Sequence, residues 1–144
     1  MDEPALAELL ESIIIAGVAL TTRALSEASP DLELTLPQWR VLVVVGEREA
    51  GSKLTEIATR VGVTLPATSR QVHRLVRRGL IQVQRDERDR RAARVRLTET
   101  GTQVRNQILG FRQARIAETI TGLPVSGQTL GEMAVIARAL RAHR

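Results

Sequence analysis

The sequence predicts a mostly helical α+β chain that carries one small antiparallel β-hairpin. Three observations lead there. Apolar residues recur at helical spacing over most of the chain, two short apolar–polar alternations flank a single charged segment at residues 85–93, and Gly, Pro and Ser/Thr punctuation falls between the periodic runs. The 144 residues suffice for a core without disulfides or a structural metal. With 43% hydrophobic and 26% charged residues, the composition is that of a globular chain.

Residues 4–28 read as a helix. Leu6, Leu9, Leu10 and Ile13 fall at i, i+3, i+4 and i+7, and the pattern runs on through Ile14, Gly17, Val18 and Leu20. Pro4 suits a first turn, and Ser29-Pro30-Asp31 ends the helix. So wide an apolar stripe asks for a partner surface. A second helix starts near Leu36-Pro37, turns Trp39, Leu42, Val43 and Val45 inward, and stops near Ala50-Gly51. The β-branched run Val41–Val45 also suits a strand; Pro37 at its head favours helix.

A third, short helix covers about Thr55 to Val61, with Leu54, Ile57, Ala58 and Val61 on one face. Gly62 breaks it, and the tight turn Gly62-Val63-Thr64 leads to a fourth helix over about Pro66 to Arg78. Two short helices joined by a glycine-containing turn are a helix-turn-helix signature. In the fourth helix Thr68, Val72, Leu75 and Val76 form the buried side, and Arg70, Arg74, Arg77 and Arg78 lie opposite. After Gly79, Ile81-Gln82-Val83-Gln84 and Arg94-Val95-Arg96-Leu97 alternate like half-buried strands, and the arginine-crowded stretch between them forms the tip of a wing. Thr98 caps a long helix to about Thr121, with Val104, Ile108, Phe111, Ile116 and Ile120 inward. Gly122-Leu123-Pro124 stop it, and a last helix from about Ser126 carries Leu130, Met133, Ile136, Ala137 and Leu140.

Charge and composition narrow the function. The net charge is +5, yet residues 60–96 hold 11 Arg against 3 acids (Asp86, Glu87, Asp89). A basic segment inside a mildly acidic chain is an electrostatic footprint for a polyanion. Trp39 and Phe111 are the only aromatics, so base stacking on aromatic platforms has almost nothing to use. The absence of cysteine removes thiolate metal sites and thiol redox switches.

The order of elements and three motifs resemble the MarR family of bacterial transcriptional regulators. The residues that carry the resemblance are Gly79-Leu80-Ile81, the wing segment Asp86-Glu87-Arg88-Asp89-Arg90-Arg91, and Val95-Arg96-Leu97-Thr98-Glu99-Thr100-Gly101. They follow the family's "GL(V/I)", "D-x-x-D-R-R" and "V-x-L-T-x-x-G" patterns. Leu36-Pro37-Gln38-Trp39-Arg40-Val41-Leu42 is also similar to the family's second helix. The resemblance implies a winged helix-turn-helix with N- and C-terminal dimerisation helices: 1–35 the N-terminal dimerisation helix, 36–98 the DNA-binding domain, 99–144 the C-terminal dimerisation helices, all one intertwined unit. It implies a homodimer on a pseudo-palindromic double-stranded operator.

In that arrangement the fourth helix enters the major groove with Thr64, Pro66, Ala67, Ser69, Arg70, His73 and Arg74 as its candidate contacts. Arg70 is the candidate for a bidentate bond to guanine; Pro66, Ala67 or the Thr64 methyl suits a thymine methyl. Arg77 and Arg78, nearer the helix end, suit phosphate or solvent. Arg90 is the first candidate for the minor groove, with Arg88 and Arg91 as alternates, and Asp89 pairs with a neighbouring arginine to shape the wing. The resemblance further implies a cleft for a small effector, an aromatic or phenolic acid, lined by Arg23, Trp39, Arg40 and Val43.

No catalytic constellation, metal site or cofactor motif emerges. His73 lacks Cys or acidic residues at ligand spacing, and His143 stands beside the C-terminus. There is no nucleophile elbow and no glycine-rich phosphate loop. The acidic start Met1-Asp2-Glu3-Pro4 is unlike a secretory signal, and the apolar run Ile13–Leu20 is too short to span a bilayer. A cytoplasmic, nucleoid-associated regulator is therefore expected, probed against one alternative: a winged-helix protein-interaction module that does not bind DNA. The arginine-faced helix and wing favour the former.

Overall fold

The computed structural model describes residues 2–85, 88–89 and 92–142. The elements run α1 (Glu3–Ala28), a 3-10 turn (Pro30–Leu32), α2 (Leu36–Gly46), α3 (Leu54–Val61), α4 (Leu65–Arg77), β1 (Ile81–Gln84), β2 (Arg94–Leu97), α5 (Glu99–Ile120) and α6 (Gly127–Ala142). The fold is mostly α with one two-stranded antiparallel sheet, in which Ile81 pairs with Leu97 and Gln84 with Arg94.

Local chemistry sets most boundaries. Thr35 and Gln38 form a capping box at the start of α2, and Thr64 and Thr98 cap α4 and α5 through their hydroxyls. Gly62 ends α3 in the left-handed region at φ 75°, where it costs no Cβ strain. The core gathers Trp39, Val41, Leu42, Val44 and Val45 of α2 with Ile57, Leu75, Leu80, Ile81, Val95 and Ile108. α2 is thus buried nearly all round, and α3, α4, β2 and α5 pack against it.

Helix α2 stops at Gly46, short of the Ala50-Gly51 end that the sequence suggests. The reason is tertiary. Ser52 N–H donates to the Val95 carbonyl at 3.0 Å and accepts back from Val95 N–H at 2.8 Å, which draws this segment onto β2. Gly51 turns the chain into that bridge at φ 82°, with space for no side chain: a Cβ there would lie 2.6 Å from Arg96 Cγ.

Several apolar residues expected inside are not covered. Val76 is 38% exposed, because it sits a further 100° round α4 from Leu75. Ile116 and Ile120 of α5 are exposed, no residue of α6 is buried, and Leu9, Ile13 and Val18 of α1 are also open. The run Ile13–Leu20 proves to be part of a 26-residue helix of mean hydropathy 1.7 over its most apolar window. By length and composition alone α1 is long enough to cross a membrane, which corrects the shorter estimate; a helix awaiting a protein partner carries the same signature.

Candidate nucleic-acid interface and adjoining cleft

Helix α4 is held by its buried edge. Thr68, Val72 and Leu75 face the core, and the Thr68 hydroxyl donates to the Thr64 carbonyl at 3.0 Å. At about 100° per residue, Pro66, Arg70, His73 and Arg77 then share the outermost line of the helix, with Ser69 and Arg74 on its flanks. All six are exposed, and Ala67 is half-buried. Arg70, His73, Arg74 and Arg77 have no side-chain partner among the described residues. The Thr64 hydroxyl is engaged, accepting the Ala67 N–H at 3.4 Å. The arrangement is a row of cations on a protruding helix.

One assignment at the end of α4 changes. Arg78, grouped with the outward arginines, instead turns inward and donates from Nη1 to Gln38 Oε1 at 3.0 Å. Gln38 Oε1 also accepts the Thr35 N–H at 3.1 Å, so Arg78 ties the end of α4 to the start of α2. Arg77 stays with Arg70 on the outer line, where i+7 spacing places it.

The hairpin stands beside α4. Its base is fixed by arginines: Arg94 Nη1 donates to the Gly51 carbonyl at 3.3 Å, and Arg96 donates to the Glu49 carbonyl at 2.7 Å and to Gln84 Oε1 at 2.9 Å. Arg88 and Asp89 are exposed near the tip, where the Asp89 carbonyl accepts the Ala92 N–H at 2.9 Å. Asp86, Glu87, Arg90 and Arg91 lie outside the described residues, as does His143.

Between α1, α2, the end of α3 and α5 opens a cleft of about 720 Å³. Trp39, Arg40 and Val43 line it, with Ile14, Val18 and Thr21 of α1. Arg23 does not. It lies some 200° round α1 from Thr21 and faces Glu27 at 4.0 Å. Two arginines that sequence reasoning missed take part instead: Arg60 and Arg112. Arg60 pairs with Glu47 and donates to the Val44 carbonyl at 3.2 Å. Arg112 lies four residues after the core residue Ile108, so its inward position was legible from helical spacing. Among the described residues no three His, Cys, Asp or Glu side chains cluster as metal ligands would.

Residues 34–93 match the family model described as MarR. Over 72 residues the chain is 33% identical to the HTH-type transcriptional repressor IacR of Pseudomonas putida, a stretch that is 50% of this chain and 42% of that protein. The matched stretch spans about half the length of the curated relatives. Among solved structures, RV1404 from Mycobacterium tuberculosis superposes with a TM-score of 0.80 at 25% identity, covering 96% of this chain and 95% of that one. The PcaV transcriptional regulator from Streptomyces coelicolor, solved in complex with its natural ligand, gives 0.65 at 28% identity, covering 96% and 93%.

Proposed function

We propose that this chain, which matches the MarR family model over residues 34–93, acts as a dimeric, sequence-specific repressor that binds double-stranded DNA in the cytoplasm and is released by a small aromatic or phenolic acid. The observation that carries this reading is the outer face of α4, where Arg70, His73 and Arg77 stand in line without side-chain partners, flanked by Ser69 and Arg74. A B-form major groove admits one α-helix, and arginine donates bidentately to guanine. In this reading Arg70, near the N-terminal end of α4, reads a base, and Thr64, Pro66, Ala67 and Ser69 contact neighbouring bases or phosphates. Arg74 and Arg77 neutralise phosphates. Arg90, with Arg88 or Arg91 in reserve, enters the flanking minor groove, and Asp89 shapes the wing.

The organisation proposed from the sequence gains support from exposure. Residues 1–35 and 99–144 carry Leu9, Ile13, Ile116, Ile120, Leu130 and Met133 uncovered, a larger apolar surface than a lone soluble chain usually presents. Pairing through these helices would place two copies of 36–98 on a two-fold operator. The cleft supports an effector: its walls are apolar and aromatic, its charged groups are arginines, and PcaV has its natural ligand bound. No catalytic role enters this reading. Selecting bound DNA from a random pool, followed by mobility shifts over a salt series, tests it. An enriched palindrome with steep salt dependence supports it; no enriched sequence, or salt-independent binding, overturns it in favour of a protein-interaction module.

A further inference from the structure

We propose that a second cavity, on the outer face of the hairpin, is a binding site for a phosphate group. Arg105 of α5 is its main anion receptor, and Arg96 and Arg48 close on the group from β2 and from the segment after α2. The site stands whether or not the chain binds DNA.

The cavity holds about 390 Å³ between the end of α2, the hairpin base and the first turns of α5. It shares no lining residue with the cleft, and none of its walls comes from α4. Strand alternation places it. Ile81 and Val95 turn into the core, so Gln82 and Arg96 turn to the opposite face of the sheet, and both line the cavity. Three arginines meet there against one acid, Glu49. They come from three separate elements. That suits a tetrahedral group with several acceptor oxygens, whereas a planar carboxylate is satisfied bidentately by one guanidinium.

Arg105 is the decisive residue. Its stem lies against Gly46, the last residue of α2: a Cβ there would fall 2.5 Å from Arg105 Cδ and Nε and 2.8 Å from Leu97 Cδ1. The missing side chain makes the berth for the arginine. Arg105 Nε is buried without a hydrogen-bond partner, and no hydrogen bond or ion pair engages the guanidinium among the described residues. The negative end of the α2 dipole offsets only part of its charge. With Nε closed off, an anion in the cavity meets the Nη groups. A guanidinium already held in place loses little further rotamer freedom when an anion arrives. Arg96 is half committed. Its Nε donates to the Glu49 carbonyl at 2.7 Å and its Nη1 to Gln84 Oε1 at 2.9 Å, which leaves the Nη2 protons for a ligand. Arg48 faces Glu56 at 3.6 Å with both side chains open to solvent, a pairing weak enough to re-aim. A phosphate seated on Arg105 and Arg96 therefore breaks no bond that frames the hairpin, and it joins the end of α2, β2 and α5 through one charge.

The probe is inorganic phosphate, titrated into the whole chain at constant ionic strength with chloride as the balancing anion and followed by isothermal titration calorimetry. Saturable binding below about 10 mM is expected. Arg105→Gln should weaken it about tenfold or more, as loss of a charge-assisted bond requires. Glu49→Gln should tighten it about twofold or more, because the acid at the rim no longer repels the anion. A gain of that kind cannot come from a damaged fold, so it holds the test even where Arg105→Gln is unstable. No saturable binding below about 10 mM, wild-type affinity in Arg105→Gln, or unchanged or weaker affinity in Glu49→Gln overturns the site. A duplex of mixed sequence then separates two sources of the group. If a DNA backbone phosphate fills the cavity, saturating duplex should abolish the phosphate heat, and Arg105→Gln should lower the slope of log K against log salt by about 0.9 for each site. If a free phosphorylated small molecule fills it, phosphate and duplex should bind together and the slope should hold. A chain that binds phosphate and no duplex keeps the site with its small-molecule source and sinks the regulator reading alone.

Discussion

Gly101→Ala is expected to break the junction on which helix α4 is mounted. A Cβ at Gly101 would lie 1.9 Å from the Leu80 carbonyl oxygen and 2.9 Å from its carbon. Both are backbone atoms of a fully buried residue, so no flexible side chain can give way. The same carbonyl accepts the Thr98 N–H at 3.1 Å, and the Thr98 hydroxyl donates to the Gly79 carbonyl at 2.6 Å. Making room means drawing the first turn of α5 away from the α4–β1 junction, which opens both bonds. Overpacking costs about 1–3 kcal/mol and an orphaned donor about 1–3 more, against a gain of about 1 kcal/mol in helix propensity. The net loss is about 1–5 kcal/mol, a large part of the roughly 5–15 kcal/mol that holds a typical domain. Thermal unfolding at fixed chain concentration reads it as a drop in Tm of about 4 °C at the low end and about 20 °C at the high end. Gly110→Ala on the same helix is the control. A Cβ there meets nothing within 4 Å, so its Tm should hold or rise. A Gly101→Ala chain that melts with the wild type would refute the reasoning.

Arg70→Ala should cost about 1–3 kcal/mol of operator affinity and relax selectivity at one base position of each half-site, read by repeating the DNA selection with the variant. Arg77→Ala should weaken all sequences alike and lower the slope of log K against log salt by about 0.9 for each phosphate contact removed. Arg78→Ala should leave that slope in place and lower Tm, because it frees Gln38 from a structural bond. Arg90→Ala should weaken operator binding about tenfold or more without unfolding the chain, since a narrow minor groove rewards an inserted arginine; unchanged affinity at fixed salt removes Arg90 from the interface. Leu130→Asp, at a position 62% exposed on α6, should convert a dimer to monomers in analytical ultracentrifugation.

The elements that carry a strong one-sided pattern were legible in the sequence. α3 shows its buried face residue by residue and α4 does so except at Val76, while Gly62, Thr64 and Gly79, with Thr98 at the head of α5, mark ends by chemistry that acts locally. α2 was harder, because a helix buried all round has no face to read. Its end at Gly46 was set by the distant bridge between Ser52 and Val95, which no local pattern announces. Periodicity also reports that a residue will be buried somewhere, and not that its own chain will cover it. Ile116 and Ile120 extend the apolar run that begins at Val104 and Ile108, yet they lie about 80° and about 120° round α5 from Ile108 and are exposed.

Arginine is the residue whose duty the sequence conceals most. The 11 arginines of residues 60–96 look like one polyanion footprint. Outside the hairpin tip, seven of them divide into two groups. Arg60, Arg78, Arg94 and Arg96 are occupied with a carboxylate, side-chain amides or backbone carbonyls, and their charge serves the frame on which α4 and the hairpin stand. Arg70, Arg74 and Arg77 remain without side-chain partners on the exposed side of α4. A guanidinium already bonded within the fold must break those bonds to take a phosphate, so only the second group counts in full towards counterion release. Were each of those three to neutralise one phosphate, a two-fold pair of helices would by itself give a salt slope of about −5, before any contribution from the wings. A measured slope far shallower than that would mean that α4 does not lie along the groove, however basic the segment is.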